Sequence, residues 1–161
     1  MKFFPAALPA AALVLAGALT GCTPIADVDP APDASNPACA EVMVTLPDEL
    51  AGHQLRDTNS QATAAWGEPS QVILRCGVPA LPPTTDPCAS VNGIDWILRE
   101  QDGQMWTATT YGREPAVEVL FNPDEAASST ILVQLEPAVS TIEQTRACVG
   151  PSDTLELPDA G

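Results

Sequence analysis

Five cysteines, a single histidine and 21 carboxylates are the residues of this 161-residue chain with obvious chemistry to offer. The first cysteine closes the run Leu19-Thr20-Gly21-Cys22. An apolar residue, two small residues and then cysteine is the pattern of a bacterial lipoprotein processing site. Small side chains there admit an extended backbone, and the Cys22 thiol receives lipid. Assigning Cys22 to lipid leaves Cys39, Cys76, Cys88 and Cys148, an even set. In an exported chain, four cysteines point to two disulfides. The chain has no C-x-x-C pair and no Cys/His cluster of zinc-site spacing, so neither a metal nor another cofactor is expected. Three pairings are possible. The expected one is Cys76–Cys88, stapling the Pro-rich stretch 77–83, with Cys39–Cys148 clipping the ends of the domain together. In the chain-entropy account such bridges contribute about 3 and 4–5 kcal/mol.

The remaining groups point away from the common catalytic devices. A Ser-His-Asp or Cys-His arrangement would have to use His53, which lies in a polar stretch and reads as a loop or surface histidine. There is no Gly-x-Ser-x-Gly elbow and no phosphate-cradling glycine loop. A carboxylate pair for glycoside hydrolysis would be invisible among so many acids, and an acid-rich surface is the commoner explanation of them. Asp27-x-Asp29 lacks the glycine and distal glutamate of a calcium loop and reads as a solvated spacer. Trp66, Trp96 and Trp106 could stack on a ligand. Trp96, however, alternates with Ile94 and Leu98 and so reads as core. Arg113, beside Tyr111 and Gly112, is suited to reading an anion, in competition with ion pairing to Asp95, Glu114 or Glu118. Arg113, Tyr111 and Trp106 are therefore the candidate ligand contacts, and no catalytic residue is assigned.

These residues must be delivered by a leader, a spacer and one domain. Lys2 followed by the apolar run from Pro5 to Leu19 reads as a signal peptide, residues 1–21, too short at 15 residues to span a bilayer as a helix. Residues 22–38 read as the lipidated cysteine plus a Pro/Asp-rich tether reaching up to about 50 Å. Residues 39–149 read as the folded domain and 150–161 as an acidic disordered tail. Without the leader the charge is five Arg against 21 acids, 5 − 21 = −16. That repels phosphate backbones and anionic lipid alike, so nucleic acid is not an expected partner.

Within the domain, 42–46 and 71–76 read as strands, 47–52 as a helical turn and 66–69 as a turn. Segments 94–99 and 105–111 flank Asp102-Gly103, a type I′ hairpin signal. A two-residue turn would pair position i with 205 − i, setting Trp96 opposite Thr109 and Arg99 opposite Trp106. Segment 116–121 adds a third meander strand, with Val117, Val119 and Phe121 inward. Asn122-Pro123-Asp124-Glu125 reads as a helix start. Residues 126–136 fit strand or helix, with any helix restarting at Pro137. The expected fold is a small α+β domain on an antiparallel sheet of about four or five strands, with one or two short helices and two disulfides.

Several of these stretches occur together in a known order: Cys39 and Leu46-Pro47, Ala65-Trp66-Gly67, and Leu74-Arg75-Cys76-Gly77-Val78. Val91-Asn92-Gly93-Ile94-Asp95-Trp96, the stretch from Thr109 to Val119, and Cys148 follow. The chain resembles the actinobacterial family of secreted or lipid-anchored proteins called domain of unknown function 3515. That resemblance implies an envelope location and transfers no catalytic residue. Family members are often encoded near D-alanine–D-alanine ligase, which implies cell-wall work. The expectation is a lipoprotein on the outer face of the cytoplasmic membrane. Acyl chains on Cys22 hold it in the bilayer, and its domain binds an envelope protein or cell-wall component. The alternatives are an envelope hydrolase with a carboxylate pair and a calcium-dependent module.

Overall fold

A computed structural model describes residues 24–149. The expected signal peptide, Cys22 and the acidic tail 150–161 lie outside the described residues. Helix α1 (Pro37–Val44) leads into strands β1 (Glu49–Leu50), β2 (His53–Arg56), β3 (Thr63–Trp66) and β4 (Val72–Val78). Strands β5 (Cys88–Val91), β6 (Ile94–Glu100), β7 (Trp106–Thr110) and β8 (Ala116–Phe121) follow, then helices α2 (Ser128–Gln134) and α3 (Glu136–Val139). The strands form one antiparallel sheet in the order β1-β2-β3-β4-β8-β7-β6-β5. The sheet is thus eight-stranded, not four- or five-stranded. The additional strands are two to four residues long, too short to show an alternating pattern in sequence.

Turn chemistry explains the extra hairpins. Ala51 and Gly52, between β1 and β2, hold φ of 50° and 85°, as Asn92 and Gly93 between β5 and β6 hold 49° and 79°. Positive φ at both central residues is the type I′ requirement. The segment 47–52 is therefore a hairpin in place of the expected helical turn. The β6–β7 hairpin has a three-residue loop, Asp102–Gln104, closed by Gln101 N donating to Met105 O at 2.7 Å. Its register is one residue off the expected one, so Trp96 pairs with Thr110 and Arg99 with Thr107, not with Trp106. Residue 42–46 is also corrected. Asn36 accepts from Ala38 N at 3.0 Å and Pro37 opens the first turn, so Val42 falls in α1 and not in a strand. The ambiguous stretch 126–136 is helical from Ser128, and α3 restarts with Pro137 in its first turn.

The core lies between one sheet face and the three helices. Val72, Leu74, Val117, Val119 and Phe121 meet Val42, Ile131, Leu135 and Val139 there. Trp66 and Trp96 are fully buried, and Trp66 Nε1 donates to Pro47 O at 3.0 Å. Trp96 is a core residue, as its alternation indicates.

The cysteine pairing is Cys39–Cys76 and Cys88–Cys148, which overturns the expected Cys76–Cys88 and Cys39–Cys148. Helix α1 brings Cys39 onto the core face of β4, where Cys76 points. Cys88 lies instead at the edge of the sheet, facing the C-terminal segment. The loops of 37 and 60 residues imply about 4 kcal/mol from each bridge.

The tether also needs correction. From Pro24 onward its residues are folded against the sheet: Ala26 and Val28 pack on the outer face with Ala65 and Ile73, Ala31 is buried beyond them, and Ala34 joins the main core. Ala26 forms a parallel bridge with Thr58, donating to Asp57 O at 2.9 Å and accepting from Asn59 N at 3.2 Å. Small alanines set between prolines let the chain lie close to the sheet. Asp33 N reaches Gly77 O at 3.0 Å, and a Cβ at Gly77 would overlap the Asp33 backbone. The folded domain therefore begins near residue 24, not at 39. Among the described residues no helix is long and apolar enough to cross a membrane.

Candidate ligand-binding cleft

The outer faces of β4, β8 and β7 are only partly covered by the N-terminal segment, and the uncovered part is a cleft of about 570 Å³. Residues that alternate away from the core make its floor. Ile73 and Arg75 come from β4, Glu118 and Leu120 from β8, and Thr107 from β7. The N-terminal segment supplies one wall through Asp27, Val28 and Asp29. The β6–β7 loop supplies the other through Gln101, Asp102 and Met105.

Each polar group is held by a local cause. Arg75 and Glu118 face each other across β4 and β8, so their ion pair follows from register, with Arg75 Nε to Glu118 Oε1 at 3.2 Å. Asn59 Nδ2 donates to Asp27 Oδ1, while Asn59 Oδ1 accepts from Val28 N at 2.9 Å, which fixes the wall to the β2–β3 loop. Gln101 Nε2 donates to Thr107 Oγ1 at 3.1 Å and closes the hairpin side. Asp27, Asp29 and Asp102 are exposed. The lining thus carries four carboxylates against one guanidinium that is already paired. It contains no serine, cysteine, histidine or tyrosine. An apolar floor with acidic walls can hold an aliphatic stem bearing a positive charge. It holds no serine–histidine or cysteine–histidine pair, and its one hydroxyl, on Thr107, accepts from Gln101 Nε2 and donates to Arg99 O at 3.4 Å.

The residues expected to contact a ligand lie elsewhere and do not come together. Tyr111 and Trp106 flank opposite ends of β7. Trp106 is half-buried and packs against the core. Tyr111 is buried, with the Arg146 guanidinium 5.6 Å from its ring centre. Arg113 is buried too. It donates through one terminal nitrogen to Ile142 O and through the other to Gln144 Oε1 at 3.3 Å, and its Nε has no partner among the described residues. Burial lowers its pKa from the ordinary guanidinium value, opposed by the charge of Asp95. Among the described residues Arg113 makes no direct ion pair, because Gln144 stands between it and Asp95 and donates to Asp95 Oδ2 at 2.9 Å. Both Tyr111 and Arg113 therefore fasten the C-terminal segment 142–148. His53 is half-buried on β2 with Nε2 3.3 Å from Glu125 O, outside the cleft.

Sequence reasoning missed the cleft residues. The visible signal was the alternation of Ile73/Arg75 and Glu118/Leu120 with core positions on two strands. The contribution of Asp27 and Asp29 was hidden by reading their segment as a spacer.

No curated protein and no solved structure matches this chain. The family model described as "Protein of unknown function (DUF3515)" matches residues 4–148, and the chain belongs to that family.

Proposed function

We propose that this chain is a cell-envelope lipoprotein, held on the outer face of the cytoplasmic membrane by acyl chains on Cys22, whose domain is a non-enzymatic binding module. The observation that carries the binding reading is the cleft, open to solvent and walled by carboxylates, with no serine, cysteine or histidine in its lining. The processing pattern Leu19-Thr20-Gly21-Cys22 supports the anchor. Four acids against one paired arginine make the fitting occupant cationic. A basic segment of an envelope protein or an amine-bearing cell-wall component has that character. The reading is tested with a lysine-rich peptide and with amine-bearing cell-wall fragments. Binding should weaken with salt and fall at least tenfold in Asp29→Lys/Asp102→Lys. Unchanged binding in that variant would remove the cleft from the proposal.

A second reading has its own supporting observation. Asp27, Asp29, Asp102 and Glu118 converge on one concave site, as a carboxylate-pair hydrolase requires. Turnover of peptidoglycan fragments by the purified protein, lost in Asp102→Asn, would establish hydrolysis over binding.

A further inference from the structure

We propose that Cys88, Cys148 and Asp95 form a thiol-gated site for a zinc-type divalent cation. The two sulfurs and a carboxylate oxygen of Asp95 all lie within 4.8 Å of one another. Donors around one zinc ion sit about 2.0–2.3 Å from the metal and so within roughly 4 Å of each other. Once the sulfurs are no longer bonded, side-chain rotation alone brings the three into that range.

The third donor is already oriented. Asp95 is buried on β6, its Oδ1 accepts from Ser90 Oγ, and its Oδ2 accepts from Gln144 Nε2 at 2.9 Å and Cys148 N at 2.7 Å. Outer contacts of this kind fix a ligating carboxylate, and a carboxylate has about four acceptor positions, so one is left on Oδ1. Access differs sharply between the two disulfides. Cys39 and Cys76 are 1% and 0% exposed, whereas Cys88 is exposed and Cys148 half-buried. A reductant therefore reaches Cys88 first, and the open side leaves the fourth coordination position to water.

Opening is a thiol–disulfide exchange with a dithiol reductant. Its thiolate bonds to Cys88 Sγ, the Cys88–Cys148 bond breaks, and Cys148 leaves as thiolate. The reductant's second thiol then displaces Cys88 and the reductant departs as its own disulfide, two electrons having passed to the protein. The two protein thiols release their protons as they ligate the metal. Two thiolates beside a buried carboxylate would otherwise crowd three negative charges, and a divalent cation neutralises them.

The full chain is treated with a phosphine reductant, desalted and alkylated, and its cysteines are mapped by peptide mass. Cys88 and Cys148 should be modified while Cys39–Cys76 stays joined and the far-ultraviolet sheet signal is kept. One equivalent of zinc should slow alkylation of both thiols at least tenfold, and cobalt should give a thiolate-to-metal absorption band. Asp95→Asn should weaken zinc binding at least tenfold. Because that variant also loosens the C-terminal segment, Ser90→Ala, which disturbs only the orientation of Asp95, should weaken it as well. Loss of both disulfides together, loss of the sheet signal, absence of zinc protection, or unchanged affinity in both variants would overturn the site.

Discussion

Gly112 and Gly93 hold nearly the same backbone conformation, with φ of 74° and 79°, yet their surroundings differ. A Cβ at Gly93 meets nothing within 4 Å, whereas one at Gly112 would overlap the Arg146 backbone. Gly93→Ala should therefore cost only the conformational penalty, about 1 kcal/mol. Gly112→Ala should cost about 3 kcal/mol or more, because it also displaces the segment whose Thr145 N donates to Gly112 O at 2.7 Å. Denaturant melts of the two variants check the contrast, and equal losses would contradict it. Asp86 supplies the pH dependence at this scale. The hydrogen bond from Arg99, Nε to Oδ2 at 2.8 Å, and a second from Thr84 hold its pKa below 3.8. With the folded value depressed, the stabilisation is complete above pH 3.8 and fades as pH falls through the lower folded value. The Asp86 carboxyl should titrate below 3.8 by NMR and move back toward it in Arg99→Gln. The ion pair is solvent-exposed, so the melting temperature should hardly change.

Among the elements, the legible ones were those with a strong pattern and a locally determined end. The β6-β7-β8 meander was visible because Ile94, Trp96 and Val117, Val119, Phe121 alternate over strands long enough to show a period. Its register was not, because one extra residue in the Asp102–Gln104 loop exchanges every cross-strand partner. The β5–β6 hairpin carried its own signal in Asn92-Gly93, and the short strand Cys88–Val91 before it concealed that signal. Helix α1 is hidden in the sequence because β-branched Val42 and Val44 carry a strand pattern that outweighs the Asn36-Pro37 start, although Asn122-Pro123 bears the same signature. That second occurrence closes only a turn, with Asn122 accepting from Asp124 N at 3.0 Å, and α2 begins later. The disulfide pairing depended on α1 and could not follow from spacing. Since α1 is joined to β4 by Cys39–Cys76 in the core, replacing both cysteines by alanine should lower stability by about 4 kcal/mol. Chemical denaturation checks this, and a loss under about 1 kcal/mol would show that the bridge adds nothing to the packing of Val42 and Leu74.

For the whole molecule, the largest change is in how far the domain stands from its proposed anchor. A free tether over 23–38 would have set the domain as much as about 50 Å above the membrane. Instead Ala26 is already paired with Thr58, and burial continues through Val28, Ala31 and Ala34 to α1. Cys22 and Pro24 are two residues apart, which limits their Cα separation to about 7 Å. In the proposed lipid-anchored state, the wall of the cleft made by Asp27 and Asp29 then lies close to the bilayer, and Ile25, 62% exposed, is nearer still. The occupant of such a cleft must be reachable at the membrane surface, which favours a partner that is itself membrane-attached or newly exported. The difference is measurable on cells stripped of their wall. A flexible 16-residue tether would be cut readily by a protease of broad specificity, shedding a domain that begins near Cys39. A segment docked by backbone hydrogen bonds should resist, so the shed fraction should stay small and any released product should retain residues 26–38. Cys22→Ser should release the intact domain without protease. Rapid shedding of a product starting near Cys39 would show that the N-terminal segment detaches from the sheet.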